Sequence, residues 1–469
     1  MKRVILFAML IIQYAISLTN ASAQNFQIKE ISDKICMVVD PEGGENQLVI
    51  KSEKGLVVFN TFWSEITAQK YKKEISKAFN RDDFAYTINM VDRLDMYGGN
   101  AAYKETRIIG HDSFLEKYHG KEKEIDAEIK RLIDMWRWKE DVSRQRLEKH
   151  EKGSETAINE ERWMNTCKQR ADELEDGFSL LLPTIFYNDR MTLDLGDVTL
   201  KLIWFGKAGN YNGMTVVVIP GEKLAIIPGF ILHSHHLAPY PYPQYAELDV
   251  PRWISVLEEI LEGENAVDRV ICDISDVWSR ERAHTHLEYI RRLWNSVKSA
   301  EADGKDIYEI QDQFSLDKDF SFVKEIQVYK DEGDDWVRPQ HKSHVRVFFL
   351  QHKNLASEII KEGGMDSLQA SLAKIRELRD TASDIYFDEA SFNGIGYYLM
   401  NSGKIDEAIE VFKLNVELFP KSSNVYDSLG EAYMKSGDKK NAIKNYNKSL
   451  ELNPDNENAK KMLKELEKK

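Results

Sequence analysis

The C-terminal part of the chain repeats itself with a period of 34 residues. Six positions carry side chains of matching kind in the two copies: Phe392 and Tyr426, Ile395 and Leu429, Gly396 and Gly430, Ala408 and Ala442, Phe412 and Tyr446, Pro420 and Pro454. A repeat of this length, with apolar residues at helical spacing, predicts units of two packed helices. The glycine and the alanine allow the helices to approach, the aromatic rings fill the space between them, and the proline closes each unit.

This spacing resembles the tetratricopeptide repeat. The resemblance implies an all-α module within residues 354–469, with repeat units at about 389–422 and 423–456 and a capping helix at 457–469. Two units are few for an independent solenoid, because each repeat buries its apolar face only against its neighbours. We therefore expect them to stack on a divergent helix at 365–378 or on the preceding domain. The resemblance also implies a protein or peptide partner.

A second feature is the loop at residues 86–100, which ends in Gly98, Gly99 and Asn100. It resembles the first metal-binding loop of the metallo-β-lactamase fold. On that alignment the aspartate ligand is retained as Asp95, and the three histidine positions are occupied by Val91, Arg93 and Met96.

Later segments resemble further elements of the same family in the same order. In the opening hairpin, Asn60 stands at the position of an aspartate that supports the metal loop. The remaining ligand positions are occupied by Asn210, Gly229 and Ile274.

The resemblance implies an α/β fold, namely an αββα metallo-β-lactamase-like sandwich, over residues 24–305. A charged helical insertion is expected at about 113–176, with its charges on solvated faces. A connecting region with a mixed strand pattern is expected at 306–353, before the helical region.

Active members of that family hold two metal ions with histidines and aspartates, and the metals generate hydroxide and polarise the scissile bond. Here six of the seven ligand positions are substituted. Valine, isoleucine and glycine side chains offer no donor atom, the thioether of methionine suits zinc poorly, and arginine is permanently cationic. We therefore expect no metal cofactor, no catalytic residue and a non-catalytic binding or scaffolding role.

The alternative hypothesis is a divergent hydrolase with a relocated zinc site, or with metal-free chemistry in the same cleft. His233, His235 and His236 follow closely after the lost bridging aspartate position. Against a metal site, the prolines that follow suit an exposed loop in which histidines need no ligand. His284 and His286 similarly follow the last motif, whereas for His341 and His344 we expect a surface or strand role.

Arg93 and Asp95 stand at two of the former ligand positions, and two residues apart on an extended stretch they would point the same way. In one hypothesis the guanidinium pairs with Asp95 and supplies the positive charge that a metal would give. In the other, Arg93 points to solvent and Asp95 caps the turn at Gly98 and Gly99.

The chain begins with Lys2 and Arg3, an apolar run at 4–18 and small residues at 21–23, which together predict a signal peptide over residues 1–23. The protein is therefore expected to be exported, either periplasmic or secreted, with no other membrane attachment.

A net charge of −14 argues against nucleic acid as a partner. The cysteines, which could form one disulfide or be buried thiols, are Cys36, Cys167 and Cys272.

Overall fold

A computed structural model describes residues 26–40, 46–176, 178–207, 213–228, 248–272, 276–314, 316–317, 319–325, 330, 333–351, 353, 355–363, 367–382 and 385–468. The predicted signal peptide lies outside these ranges. The described residues divide into two compact units. The first comprises residues up to 207 together with 213–228 and 251–287, and the second comprises 248–250 and 288–468.

A seven-stranded sheet opens the first unit, with its strands in sequence order. Neighbouring strands are antiparallel from β1 to β4 and parallel from β4 to β7. A parallel pair needs a crossover, and the helix α1 (Glu65–Phe79) provides it between β4 and β5. The strands are β1 (Gln27–Glu30), β2 (Ile35–Val39), β3 (Asn46–Ser52), β4 (Gly55–Phe59), β5 (Phe84–Ile88), β6 (Arg107–His111) and β7 (Ile185–Tyr187).

A six-stranded sheet completes the first unit, with the order β13-β12-β11-β10-β9-β8. β11 and β12 run parallel, and the other neighbours run antiparallel. Every residue of β10 and β11 is buried, as expected for strands covered on both faces. The strands are β8 (Arg190–Asp194), β9 (Thr199–Trp204), β10 (Thr215–Ile219), β11 (Leu224–Ile227), β12 (Arg269–Cys272) and β13 (Asp276–Ser279).

Helices flank these sheets. Tyr71 and Ile75 of α1 share one apolar cluster with Val49 and Val58 of the first sheet. Two long helices contribute to the same cluster, one through Trp136 and the other through Cys167, Ala171 and Leu174. The additional helices of this unit are α2 (Leu94–Tyr97), α3 (Ser113–Tyr118), α4 (Glu122–Leu147), α5 (Glu155–Glu175) and α6 (Val250–Glu262). Two mixed sheets with flanking helices confirm the predicted α/β class.

The rest of the described chain is helical. The helices are α7 (Arg280–Ala302), α8 (Ile307–Gln313), α9 (Asp334–Leu350), α10 (Glu358–Gly363), α11 (Leu368–Thr381), α12 (Glu389–Asn401), α13 (Ile405–Leu418), α14 (Ser423–Ser436), α15 (Lys439–Leu452) and α16 (Glu457–Lys468). The described part of 306–353 has no strand, so the expected mixed strand pattern is wrong. A capping box starts α8, in which Asp306 and Glu309 exchange hydrogen bonds with each other's backbone. The described helices include none that is both long and apolar enough to cross a bilayer.

Cys36 and Cys167 are buried free thiols, which agrees with the prediction of small apolar packing residues. Burial raises the pKa of both thiols.

Candidate functional site

The loop that resembles a metal-binding motif lies directly against the segment that follows β4. The backbone N–H of Thr61 donates to the carbonyl of Met96 over 2.7 Å. A Cβ on Gly98 would lie 2.4 Å from the carbonyl oxygen of Trp63, and one on Gly99 would lie 2.1 Å from that of Thr61. Both glycines are therefore required by the close approach of two backbones.

A buried polar network fixes the two ends of this loop. The side-chain amides of Asn89 and Asn100 exchange two hydrogen bonds, of 3.0 and 2.8 Å. Asn100 also accepts from the hydroxyl of Thr61 over 2.8 Å and donates to the carbonyl of Leu181 over 2.8 Å. With its side-chain oxygen and nitrogen both engaged, Asn100 anchors the loop without a ligand.

Asn60 performs a similar task from the end of β4. Its Oδ1 accepts from the backbone N–H of Met90 over 2.9 Å, and its carbonyl accepts from the side chain of Gln47 over 2.8 Å. Its φ of 53° lies in the left-handed region, which asparagine tolerates better than most residues. The residue at the former aspartate position thus holds the loop backbone directly.

Among the former ligand positions, Arg93 and Asp95 form a bidentate ion pair. Nε of Arg93 donates to Oδ1 of Asp95 over 2.7 Å, and Nη2 contacts Oδ2. The two side chains are 24% and 10% exposed. The N–H of Gly98 donates to Leu94 and that of Gly99 donates to Phe62, so Asp95 does not cap that turn. The pairing is confirmed and the capping alternative is wrong, but the expected extended stretch is also wrong, since Asp95 lies on α2 and Arg93 immediately precedes that helix.

The neighbouring ligand positions offer little to a metal. Val91 is buried and has no donor atom, whereas Met96 is half-buried and brings a soft thioether. The one carboxylate of the four described positions is already held by a guanidinium. These four described positions therefore offer a metal neither an imidazole nor a free carboxylate, and by themselves they do not fit zinc.

Helices α3 and α4 cover the loop from outside. Leu94 and Tyr97 pack in one apolar cluster with Phe114, Tyr118 and Ile125. The hydroxyl of Tyr118 donates to the carbonyl of residue 92 over 3.0 Å. Apolar packing on α3 and α4 therefore buries Leu94 and Tyr97 of this loop.

Two charged residues of α5 make buried contacts with the segment after β4, with α1 and with α4, which the sequence interpretation missed. Glu173 accepts from the indole N–H of Trp63 over 2.8 Å and from the hydroxyl of Thr67 over 2.7 Å. The guanidinium of Arg170 lies 4.2 Å from the ring centroid of Trp63 and 4.5 Å from that of Trp136. The expectation of solvated charges is wrong for Arg170 and Glu173, since both are buried.

Several predicted positions lie outside the described residues: Asn210, Gly229, Ile274, His233, His235 and His236. Within the described ranges, no three side chains of the His, Cys, Asp and Glu types are grouped so as to share a metal ion.

The remaining histidines have individual environments. His284 is exposed and contacts Glu262 over 2.6 Å. His286, on the same helix, is buried against Trp278, with 4.9 Å between ring centroids. In the described part of the chain, neither ring nitrogen of His286 has a hydrogen-bond partner.

His341 and His344 are buried on α9, so the expected surface or strand role is wrong. Nδ1 of each lies 2.9 Å from the hydroxyl of Tyr289. Nε2 of His341 lies 3.0 Å from the carbonyl of Phe314, to which it must donate when the ring is neutral. Its Nδ1 then accepts from Tyr289, and His344 donates to the same oxygen.

The repeat residues pack as the sequence predicts. A Cβ on Gly396 would lie 2.5 Å from the ring of Phe412, and one on Gly430 would lie 3.1 Å from the ring of Tyr446. Ala408 and Ala442 are fully buried. Each glycine thus lies directly beneath the aromatic ring of its partner helix.

The repeats do not stand alone. Leu372 and Ile375 of α11 share an apolar cluster with Phe392, Phe412 and Leu429. The stacking of the repeats on a preceding helix is confirmed. At the C-terminal end, the side chains of Asn456 and Asn458 both donate to the carboxylate of Asp427. These hydrogen bonds connect α16 and the residue before it to α14.

Comparisons with known proteins agree with this organisation. The family model for the tetratricopeptide repeat matches residues 428–456. No curated protein matches the chain at a significant level.

Similar solved structures include the stereoselective inverting sec-alkylsulfatase Pisa1 from Pseudomonas sp., at 14% identity and a TM-score of 0.49, covering 88% of this chain and 62% of that one. A double mutant of the same sulfatase is 13% identical with a TM-score of 0.48, and the match covers 91% of this chain and 65% of that one. The metallo-β-lactamase from Pontibacter korlensis is 13% identical with a TM-score of 0.35, and the match covers 57% of this chain and 99% of that one. The chain thus spans less than two thirds of the length of the sulfatases.

The sheet order and the repeat match together settle the architecture. An α/β domain of two mixed sheets comes first, as predicted for a metallo-β-lactamase-like sandwich. A helical region that contains a tetratricopeptide repeat follows it.

Proposed function

We propose that this protein is a non-catalytic, metal-independent binding or scaffolding protein. In this proposal the metallo-β-lactamase-like domain is a rigid support, and the tetratricopeptide region holds a protein or peptide partner. The observation that carries the proposal is the ion pair between Arg93 and Asp95 at two former ligand positions.

A metal ion at Asp95 would need that carboxylate, and the fixed positive charge of Arg93 would repel the ion at the same point. The guanidinium already supplies the charge and the hydrogen bonds that the carboxylate requires. A loop held by Asn60, Asn89 and Asn100 keeps its shape without an ion.

The location of the protein is part of the proposal. The signal-like start of the chain supports export to the periplasm or beyond. The net charge of −14 favours protein partners over nucleic acid or anionic membranes.

Elemental analysis tests the proposal. The full chain, purified without chelator, should contain far less than one equivalent of zinc, manganese or iron. A content near two equivalents that is lost on replacing His233, His235 and His236 by alanine would overturn it in favour of a hydrolase with a relocated site. His119→Ala, which changes an exposed histidine in a described region, is the matched control for adventitious binding.

A further inference from the structure

A cleft of about 810 Å³ lies within the second unit, in the size range of ligand sites. Its walls come from α8, α9, the start of α12 and the turn between α13 and α14. The lining includes Tyr308, Arg346, Glu389, Leu418, Phe419 and Pro420.

Apolar side chains form much of this cleft. Leu418, Phe419 and Pro420 line one side of it, and Tyr308 lies among its lining residues. Tyr308 is 63% exposed, which is high for an aromatic residue on a helix. An aromatic ring with an open face can stack on a planar or cationic group.

One charge pair in the cleft is already satisfied. Nε of Arg346 donates to Asp388 over 3.1 Å, Nη2 contacts the other carboxylate oxygen, and Nη2 also donates to Ser391 over 3.2 Å. The side chains of Arg346 and Asp388 are 12% and 9% exposed. This pair contributes little net charge to a ligand.

The charge near Tyr308 is negative, because Glu389 has no ion-pair partner among the residues that the structure describes. Glu389 accepts a hydrogen bond from the side-chain amide of Asn424 over 3.0 Å, and that neutral donor leaves its charge in place. Burial raises the pKa of Tyr308, and the carboxylates of Glu389, Asp388 and Asp306 raise it further against the opposing effect of Arg346. Lys421 is also a lining residue of the cleft.

We propose that this cleft binds a linear segment of a partner protein in which an arginine or lysine adjoins an apolar residue. The cation stacks on Tyr308 beside Glu389, and the apolar side chain packs against Leu418, Phe419 and Pro420. Arginine suits the site well, since its planar guanidinium both stacks and pairs with a carboxylate. This inference rests on the proposed binding function and names the class of partner.

Peptide display tests the proposal. A phage library of random peptides of about twelve residues is selected against the immobilised full chain, and the enriched sequences are read. The wild-type chain should enrich peptides with Arg or Lys next to Leu, Ile or Phe. A synthetic enriched peptide should then bind roughly tenfold more weakly to Tyr308→Ala and to Glu389→Lys, and its Arg→Glu version should bind neither wild type nor Lys421→Glu.

Charge-matched variants make the test specific. Glu389→Gln removes the charge with little change of shape and should weaken the same peptide by a smaller factor. Lys421→Glu makes the cleft more acidic and should not weaken it. Glu451→Lys carries the same charge change as Glu389→Lys at an exposed position outside the cleft, and it should bind like wild type.

The outcomes separate the two proposals. Enriched peptides that are indifferent to Tyr308→Ala and Glu389→Lys would overturn the cleft assignment and leave the binding function standing. Enrichment of acidic or purely apolar peptides would overturn the stated partner class. Self-association of the chain that Glu389→Lys abolishes would replace the partner by a second copy. Failure to enrich any peptide would overturn both proposals.

Discussion

The guanidinium of Arg93 and the carboxylate of Asp95 hold each other through two contacts, one of them 2.7 Å long, on the loop whose sequence resembles a metal-binding motif. Leu94 and Tyr97, from the same loop, pack in an apolar cluster with Ile125 of α4. A short ion pair in such a place can give a loop the order that metal coordination gives elsewhere.

The first prediction concerns this pair. Arg93→Ala should cost about 1.5–3 kcal/mol, because a mostly buried carboxylate loses its charged partner while Arg93 itself is partly solvated. Arg93→Ala combined with Asp95→Asn should recover part of that loss. Urea denaturation of the four chains of the cycle gives the coupling energy. Lys130→Ala, which breaks an exposed pair with Asp134, is the control and should cost less than about 0.5 kcal/mol. A coupling energy near zero for Arg93 and Asp95 would refute this.

The loop was largely predictable from sequence. Gly98, Gly99 and Asn100 indicated the resemblance to a metal-binding loop, and the spacing of Arg93 and Asp95 suggested their pairing, although on an extended stretch and not at the start of a helix. The buried contacts of α5 were not predictable, because Arg170 and Glu173 lie in a charge-rich helix whose sequence looks solvated. Their burial depends on Trp63 and Thr67, which are about a hundred positions away in the sequence.

The second prediction concerns Asn60. Asn60→Ala should cost about 2–3 kcal/mol, because the buried N–H of Met90 loses its acceptor and alanine must adopt a φ of 53°. Asn60→Gly loses the same hydrogen bond and is free of the second cost. It should therefore be less destabilising than the alanine variant in equilibrium unfolding. Equal losses would show that the backbone conformation contributes nothing.

The third prediction compares the two repeat glycines. Gly396→Ala should cost about 1–3 kcal/mol through overpacking, because its Cβ would lie 2.5 Å from the ring of Phe412. Gly430→Ala should be nearly neutral. Its closest contact is 3.1 Å, and alanine gains up to about 1 kcal/mol in helix propensity. Gly430→Leu restores the clash and should cost about 1–3 kcal/mol. Hydrogen exchange of the amides at 389–456 measures each effect locally, and equal protection in all three variants would contradict the assigned packing.

The helical region shows why the repeat was visible in the sequence and its surroundings were not. The same packing positions occur twice, 34 residues apart, so the matching of Gly396 with Gly430 is visible in the sequence. His341 and His344 carry no such signal. Their burial follows from Tyr289 on another helix, a long-range contact that local patterns do not contain.

The last prediction concerns His286, which is 1% exposed and whose ring nitrogens have no hydrogen-bond partner in the described part of the chain. Burial, assisted by Arg282, lowers the pKa of His286 to about 3. In the unfolded chain this histidine is protonated below about pH 6.5, whereas in the folded chain it stays neutral down to about pH 3. The free energy of unfolding must therefore fall as the pH drops from 6.5 to 3. One such group changes the free energy of unfolding by at most about 1.4 kcal/mol per pH unit.

His286→Phe should remove that dependence and, by replacing unpartnered nitrogens with carbon, stabilise the fold at pH 7 by about 1–3 kcal/mol. His284→Phe, at an exposed position on the same helix, should do neither. Urea unfolding between pH 7 and pH 4 measures both effects, and an unchanged pH slope in His286→Phe would show that this histidine is not the buried neutral group described.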